Sequence, residues 1–385
     1  MKKSSKIPLV KLNLSESDTR AVVDVIKSGV LVNGPVVASF ERQLASFLDV
    51  GYAACVSSGT AALHLGLLAL GIGRGDEVIV PAFSYPASAN AVELCGARSI
   101  FVDSKNDDFN IDVTRIENQI TPNTRAIMVV HNFGWPCDIT PIQSISARHG
   151  IPIIEDAACA LGSSIGSTRC GNLGRLATFS FHPRKILTTG EGGAVVTDDP
   201  LIAEKIRQLR NHGQVFTKGV DFVIPGFNYR MGEMQAALGV SQMKRFKTIL
   251  RERRNAAHYY DDAISKIGYL RTPADSARKS NYQTYIAYVS ELNRDNLLAR
   301  LKKTGIEAGI GTYSIPHTSF YAEKYRLTEE DYSNSLGFYK NLLSLPLYEG
   351  ITRDEQDFVI DALRDYSSDT ENTAEEFLVK TGGKQ

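Results

Sequence analysis

YAACVSSGTAALHLGLLALGIGRGDEVIVP, residues 52–81, decides the fold. A short apolar run, YAACVS, meets a small-residue turn, then a helical run over 60–70, then a second apolar run, EVIV. The alternation continues outward from there. Helical patterns over 86–95, 112–120 and 139–149 separate the runs RSIFVD, RAIMVV and IPIIED, and TFSF and GAVVT follow. Short apolar runs alternating with helical ones predict a mostly parallel sheet covered on both faces. The runs are continuously apolar, as strands buried on both sides require.

Upstream, Ser15-Glu16-Ser17-Asp18 has capping-box spacing and leads into Val22, Val23 and Ile26. Gly34-Pro35 then opens a second helix on Val37, Phe40, Leu44 and Phe47. Downstream the alternation stops after Val195-Val196, and helix 199–210 leads toward one long helical region from about Met231 to Ile267. TYIAYV, helix 293–304, IEAGI and helices near 328–342 and 353–365 complete the ordered pattern. The expected organisation is a large α/β domain over 1–240, a smaller C-terminal α+β domain over 241–366, and a polar tail over 367–385.

The chain has 385 residues, with 43 Lys+Arg against 43 Asp+Glu, 43% hydrophobic and 22% charged. That is ordinary globular usage, so wholesale disorder is excluded. Zero formal net charge argues against a nucleic-acid binder. The basic start MKKSSKIPLVKL lacks an apolar stretch behind it, and the most apolar run, Ala61 to Gly73, is too short to cross a bilayer. A cytoplasmic protein is expected. The five cysteines, Cys55, Cys95, Cys137, Cys159 and Cys170, form no CxxC pair and read as reduced thiols.

Ligands of open α/β sheets bind beyond the carboxyl ends of the strands, which selects the loops to read. Ser57-Ser58-Gly59-Thr60 joins a strand to a helix, where free backbone amides favour an anion; an ordinary helix cap has the same composition. Gly71-Ile72-Gly73-Arg74-Gly75-Asp76 follows a helix rather than a strand, so it is not a dinucleotide fingerprint. Asp156 closes IPIIED and is either an exposed strand-end carboxylate or the partner of a buried cationic nitrogen. Lys185 lies between an apolar strand and the Gly-rich turn Thr188–Gly193; it is either a surface charge or an enclosed amine able to form a Schiff base. Ser180 is a core hydroxyl or a phosphate donor. A Schiff-base lysine, a carboxylate for a pyridine nitrogen and a phosphate cradle together are what pyridoxal 5′-phosphate (PLP) needs.

Elsewhere, Lys244, Arg245, Lys247, Arg251, Arg253 and Arg254 read as a solvated or subunit-facing basic run, with attraction of anionic nucleotide sugars as the alternative. Trp135 lines a pocket or packs its own loop. His131 and His182 read as satisfied polar residues, and no metal set is expected around them.

Six stretches together resemble the DegT/StrS family of sugar aminotransferases, PLP enzymes of fold type I. They are SSGTAALHLGLLALGIGRGDEVIVPAFSYPASANAV (57–92), HNFGWPCD (131–138), IEDAACALGS (154–163), FSFHPRKILTTGEGGAVVT (179–197), GFNYRMGEMQAALG (226–239) and SLPLYEGIT (344–352). The resemblance implies that Lys185 forms the Schiff base and shuttles protons, that Asp156 pairs with the pyridinium, and that Gly59, Thr60 and Ser180 hold the phosphate. It further implies that Asn228 reaches in from a second subunit of an obligate homodimer and that Tyr85 stacks on the pyridine ring. Tyr313 and His317 would face the sugar. Cys159 stands where the family commonly has a Gln bonded to the phenolic oxygen, so that oxygen would be held differently. Related sugar dehydratases replace the Schiff-base Lys by His, and this chain keeps Lys185.

The implied function is transfer of an amino group from glutamate or glutamine to a nucleotide-linked keto sugar, for a surface glycan or glycosylated metabolite. An aminotransferase acting on a cyclitol ketone (an inosose), a PLP-dependent dehydratase and a non-catalytic regulatory relative are the alternatives.

Overall fold

A computed structural model describes residues 6–273, 277–290 and 292–366 of the chain; the expected polar tail over 367–385 lies outside them. Seven strands form the main sheet: β1 (Tyr52–Val56), β2 (Glu77–Pro81), β3 (Arg98–Val102), β4 (Thr124–Val130), β5 (Ile153–Asp156), β6 (Leu176–Ser180) and β7 (Gly193–Thr197). Their order across the sheet is β1-β7-β6-β5-β4-β2-β3. Only β7 runs against the others: it pairs antiparallel with β1 and β6, while β6-β5, β5-β4, β4-β2 and β2-β3 are parallel. The apolar runs become strands because both faces are covered. Helix Gly59–Ala69 shows the same logic, with Ala61 to Leu67 buried on every side, as a helix lying inside a core must be.

The capping box at the first helix forms as expected: Asp18 N–H donates to Ser15 Oγ at 3.3 Å and Ser15 N–H to Asp18 Oδ2 at 2.8 Å. The second helix, Pro35–Leu48, has no cap of its own. Glu233 supplies one from far along the chain, accepting Gly34 N–H at 2.9 Å and Val36 N–H at 2.7 Å.

The long helix expected from Met231 to Ile267 is two helices, Glu233–Met243 and Phe246–Ile264. Arg245 breaks them apart with φ −112°. In that turn its guanidinium reaches Asp18 Oδ2 at 2.9 Å and Glu349 Oε1 at 2.7 Å. Two opposed carboxylates outweigh the continuity of one helix. Shorter helices also replace the runs expected over 112–120 and 328–342: Val113–Ile116 with a 3-10 turn at Glu117–Gln119, and Ser333–Asn341, while a further helix, Ser319–Tyr325, forms ahead of the second run.

The basic run is corrected in part: Lys244, Lys247 and Arg251 are exposed, as a solvated face requires, but the other arginines are not. Arg253 is buried and donates to the carbonyls of Tyr282, Gln283 and Leu347 at 2.5, 2.6 and 3.0 Å. Burial pulls its guanidinium down to about 10. Arg254 donates to the carbonyls of Ser280 and Gly162. These arginines fasten chain segments to each other rather than facing solvent.

A second, antiparallel sheet of β8 (Leu270–Arg271), β9 (Tyr285–Val289), β10 (Gly309–Ile310) and β11 (Leu342–Leu345) has the order β8-β9-β11-β10. Tyr260, Tyr285, Leu297, Leu343 and Val359 form its core, which extends to Phe83, Phe133 and Trp135 from loops of the main sheet. Trp135 is buried and meets Tyr282 edge-on at 5.6 Å, so it packs its loop. Among the described residues no helix is long and apolar enough to cross a membrane.

Candidate active site

Gly59, Asp156, Cys159, Ser180 and Lys185 lie at or just beyond the carboxyl ends of parallel strands. β1 hands over to Ser58, whose Oγ accepts Ala61 N–H at 3.1 Å and starts helix Gly59–Ala69. The amides that open a helix have no partner within it and point at whatever lies before them. Gly59 is required here: a Cβ would stand 2.7 Å from Ser180 Cβ. The missing side chain lets the Ser180 hydroxyl, at the end of β6, lie against the start of the helix. Ser180 Oγ accepts His182 N–H at 3.4 Å, which leaves its own proton free to be donated.

Asp156 ends β5, next to β6, and is 6% exposed. Its Oδ2 accepts from Ser88 Oγ at 2.7 Å and its Oδ1 from Ala158 N–H at 3.1 Å. An ionised carboxylate has about four acceptor sites, so half remain for a ligand. The turn that follows carries Cys159, and Lys185 Nζ lies 3.0 Å from Cys159 Sγ. The structure therefore brings Asp156, Cys159 and Lys185 into one place.

The Lys185 turn is held by residues with no signal in the sequence. Gln283 Oε1 accepts Ile186 N–H at 2.8 Å, and Gln283 Nε2 donates to Arg184 O at 2.6 Å. One amide thus grips the backbone on both sides of Lys185. Gln242 does the same at Thr188, accepting its N–H at 3.1 Å and donating to its carbonyl at 2.6 Å. Asn281 Nδ2 donates to the carbonyls of Cys159 and Leu161 at 3.0 and 2.9 Å. Gln283→Ala should therefore lower kcat about 10- to 100-fold, the scale on which a misplaced reacting group costs rate. The KM for substrate should change little, and steady-state kinetics beside circular dichroism checks both.

Thr60, Tyr85 and Tyr313 line a neighbouring cleft of about 460 Å³ with Pro86, Ala87 and Asn90. Tyr85 is 66% exposed and meets Tyr313 edge-on at 6.2 Å. Tyr313–Ser314 pairs antiparallel with Phe83–Ser84, which fixes this wall to the end of β2. His317 Nδ1 lies 2.7 Å from Ser314 Oγ, while its enclosed Nε2 has no hydrogen-bond partner among the described residues. Asn228 is exposed, its backbone bridges Asn211, and the next carbonyl, Tyr229 O, accepts Ser57 N–H at 2.8 Å. Among the described residues its side chain makes no hydrogen bond to Lys185, Asp156 or Ser180. A larger cleft, about 630 Å³, lies at the opposite, amino ends of β2 and β3 beside Arg98 and Lys324 and holds none of the candidate residues.

One cluster surrounds His131, which the sequence reads as a satisfied polar residue. His131, Glu155 and Cys170, all buried, bring their ligand atoms within 4.8 Å of one another. Most of these atoms already have hydrogen-bond partners. Glu155 accepts Gly171, Leu173 and Gly174 N–H groups at 2.7, 2.7 and 2.8 Å. His131 Nδ1 accepts Cys137 N–H at 2.9 Å, so the ring is neutral and its Nε2–H donates to Glu155 Oε2 at 2.9 Å. The cluster is a structural knot.

The donor set fits a phosphorylated aldehyde with a basic ring nitrogen. Helix-start amides with Thr60 and Ser180 hydroxyls suit a phosphate, a half-satisfied buried carboxylate suits a protonated nitrogen, and the Lys185 amine suits the aldehyde. Fold and site together define a PLP-dependent enzyme of fold type I. The chain matches the DegT/DnrJ/EryC1/StrS aminotransferase family over residues 13–364 and belongs to it. It is 38% identical over 335 residues to a GDP-perosamine synthase of Caulobacter vibrioides, covering 86% of this chain and 90% of that protein. It is 35% identical over 377 residues to a UDP-4-amino-4-deoxy-L-arabinose–oxoglutarate aminotransferase of Shewanella sediminis, covering 93% and 97%. A putative sugar aminotransferase of Streptococcus pneumoniae, solved in its PMP form, superposes with a TM-score of 0.92 at 27% identity, covering 96% of this chain and all of that one. The protein is a PLP-dependent aminotransferase.

Proposed function

We propose that the enzyme moves an amino group from glutamate or glutamine to the ketone carbon of a nucleotide-linked sugar. The observation that supports this most is the Lys185 amine 3.0 Å from Cys159, on the turn that Asp156 begins. The relatives add weight, since both named above act on nucleotide-linked sugars and one names oxoglutarate, the keto acid of glutamate.

PLP supplies an electron sink for the pair left behind when a proton leaves an amine-bearing carbon. The chain's own residues do the rest. Gly59, Thr60 and Ser180 hold the phosphate. Asp156 keeps the ring nitrogen protonated. Lys185 Nζ takes the proton from the donor's carbon and delivers one to the sugar carbon, with Cys159 Sγ fixing where the amine points. Tyr85 lies against the ring and Tyr313 forms the wall of the sugar side, with His317 behind it on Ser314.

Asn228 acts in a second copy's site in this proposal, and the enzyme is a homodimer. Phe216, Val220, Phe222 and Val223, all more than half exposed on and beside the hairpin that precedes Asn228, support an association surface there. The test is the visible spectrum of the PLP-loaded protein. L-Glutamate should convert PLP to PMP with release of 2-oxoglutarate, and a nucleotide 4-keto sugar should restore PLP. No response to glutamate or glutamine would overturn the donor, and no restoration by any nucleotide keto sugar would overturn the acceptor.

A further inference from the structure

We infer that Ser88, backed by Ser84, is a positioning residue that keeps the Asp156 carboxylate turned toward the coenzyme ring. The inference rests on the reading that Asp156 faces the ring nitrogen. Ser88 is fully buried on helix Ala87–Leu94, and Ser84 is 1% exposed on the short strand Phe83–Ser84. Ser84 Oγ lies 3.0 Å from Ser88 Oγ, which lies 2.7 Å from Asp156 Oδ2.

The direction of this chain follows from chemistry. An ionised carboxylate only accepts, so Ser88 donates to Asp156, and the Ser84 hydroxyl therefore donates to Ser88. Each bond polarises the next. Asp156 Oδ2 is thereby held, and Oδ1 is partly held by Ala158 N–H, so the carboxylate has one orientation. The chain begins on the strand that pairs Ser84 with Tyr313, which ties the carboxylate to the wall of the neighbouring cleft. Nothing about a serine on an alanine-rich helix announces this in the sequence.

Without the Ser88 hydroxyl, Oδ2 loses its fixed partner and the carboxylate can turn away from the ring, so the equilibrium that keeps the ring nitrogen protonated beside it shifts toward the unprotonated form. A hydrogen bond to a charged group sets the size, roughly tenfold in that equilibrium. The experiment loads full-length protein with PLP carrying ¹⁵N in the ring and reads the ring-nitrogen chemical shift, with melting of the coenzyme-free proteins alongside. Wild type and Ser88→Thr should show a protonated nitrogen. Ser88→Ala should reduce the ratio of protonated to unprotonated nitrogen about tenfold, and Asp156→Asn should remove protonation. If Asp156→Asn loses protonation while Ser88→Ala matches wild type, this inference is overturned and the Asp156 reading stands. If Asp156→Asn matches wild type, the Asp156 reading falls and the inference with it. Should Ser88→Ala fail to fold, Ser84→Ala must shift the ratio the same way by about two- to threefold; an unshifted ratio overturns the proposal.

Discussion

Lys185→Ala should lower amino transfer by about 10⁴-fold or more. General acid–base catalysis alone contributes about 10²- to 10⁴-fold, and loss of the covalent anchor for the coenzyme adds to that. The environment of Lys185 suits no structural role. Its side chain is half-buried, makes no ion pair among the described residues, and has a thiol sulfur, a weak acceptor, as its partner. A lysine kept for stability would sit against a carboxylate. Lys185→Arg should be nearly as inactive, because a guanidinium does not release its proton at neutral pH. Single-turnover absorbance with glutamate measures the rate, and borohydride reduction followed by peptide mapping should mark Lys185 in the wild type and nothing in Lys185→Ala. A variant within tenfold of wild type would remove Lys185 from the reaction.

Much of this was legible in the sequence, for a physical reason. Strands buried on both faces must be continuously apolar, and ligand groups of such a sheet must lie where its parallel strands end; Gly59, Asp156, Ser180 and Lys185 all satisfy that rule. What stayed hidden are contacts between segments remote in the chain. Gln283 reads as any polar residue beside a strand until its amide is seen gripping Arg184 and Ile186. Arg253 belongs to a run of cations on a helix, and only the arrival of three carbonyls makes it internal. The break at Arg245 depends likewise on Asp18 and Glu349. Local pattern reports which face of an element is apolar; it does not report which distant polar group will meet it.

The adjacent pair Glu155-Asp156 makes the same point and carries the largest stability prediction. Successive side chains of a strand point to opposite faces, so two neighbouring carboxylates have different neighbours. Asp156 turns toward Ser88, while Glu155, fully buried, turns toward the loop at Gly171–Gly174 and His131. All four of its acceptor positions are used, by three backbone N–H groups and one imidazole N–H. Glu155→Ala leaves those four donors buried without partners at about 1–3 kcal/mol each. That sum is comparable with a whole domain's stability of about 5–15 kcal/mol, so Glu155→Ala should not accumulate as folded protein. Glu155→Gln keeps the shape but turns an NH₂ toward two of the donors, and should lose about 2–4 kcal/mol. Urea unfolding of the coenzyme-free proteins measures the difference. A Glu155→Gln midpoint equal to wild type would mean that the loop at Gly171–Gly174 is held by something other than this carboxylate. The expected loss instead makes Glu155 the group that fixes the end of β5, and hence the place from which Asp156 reaches the active site.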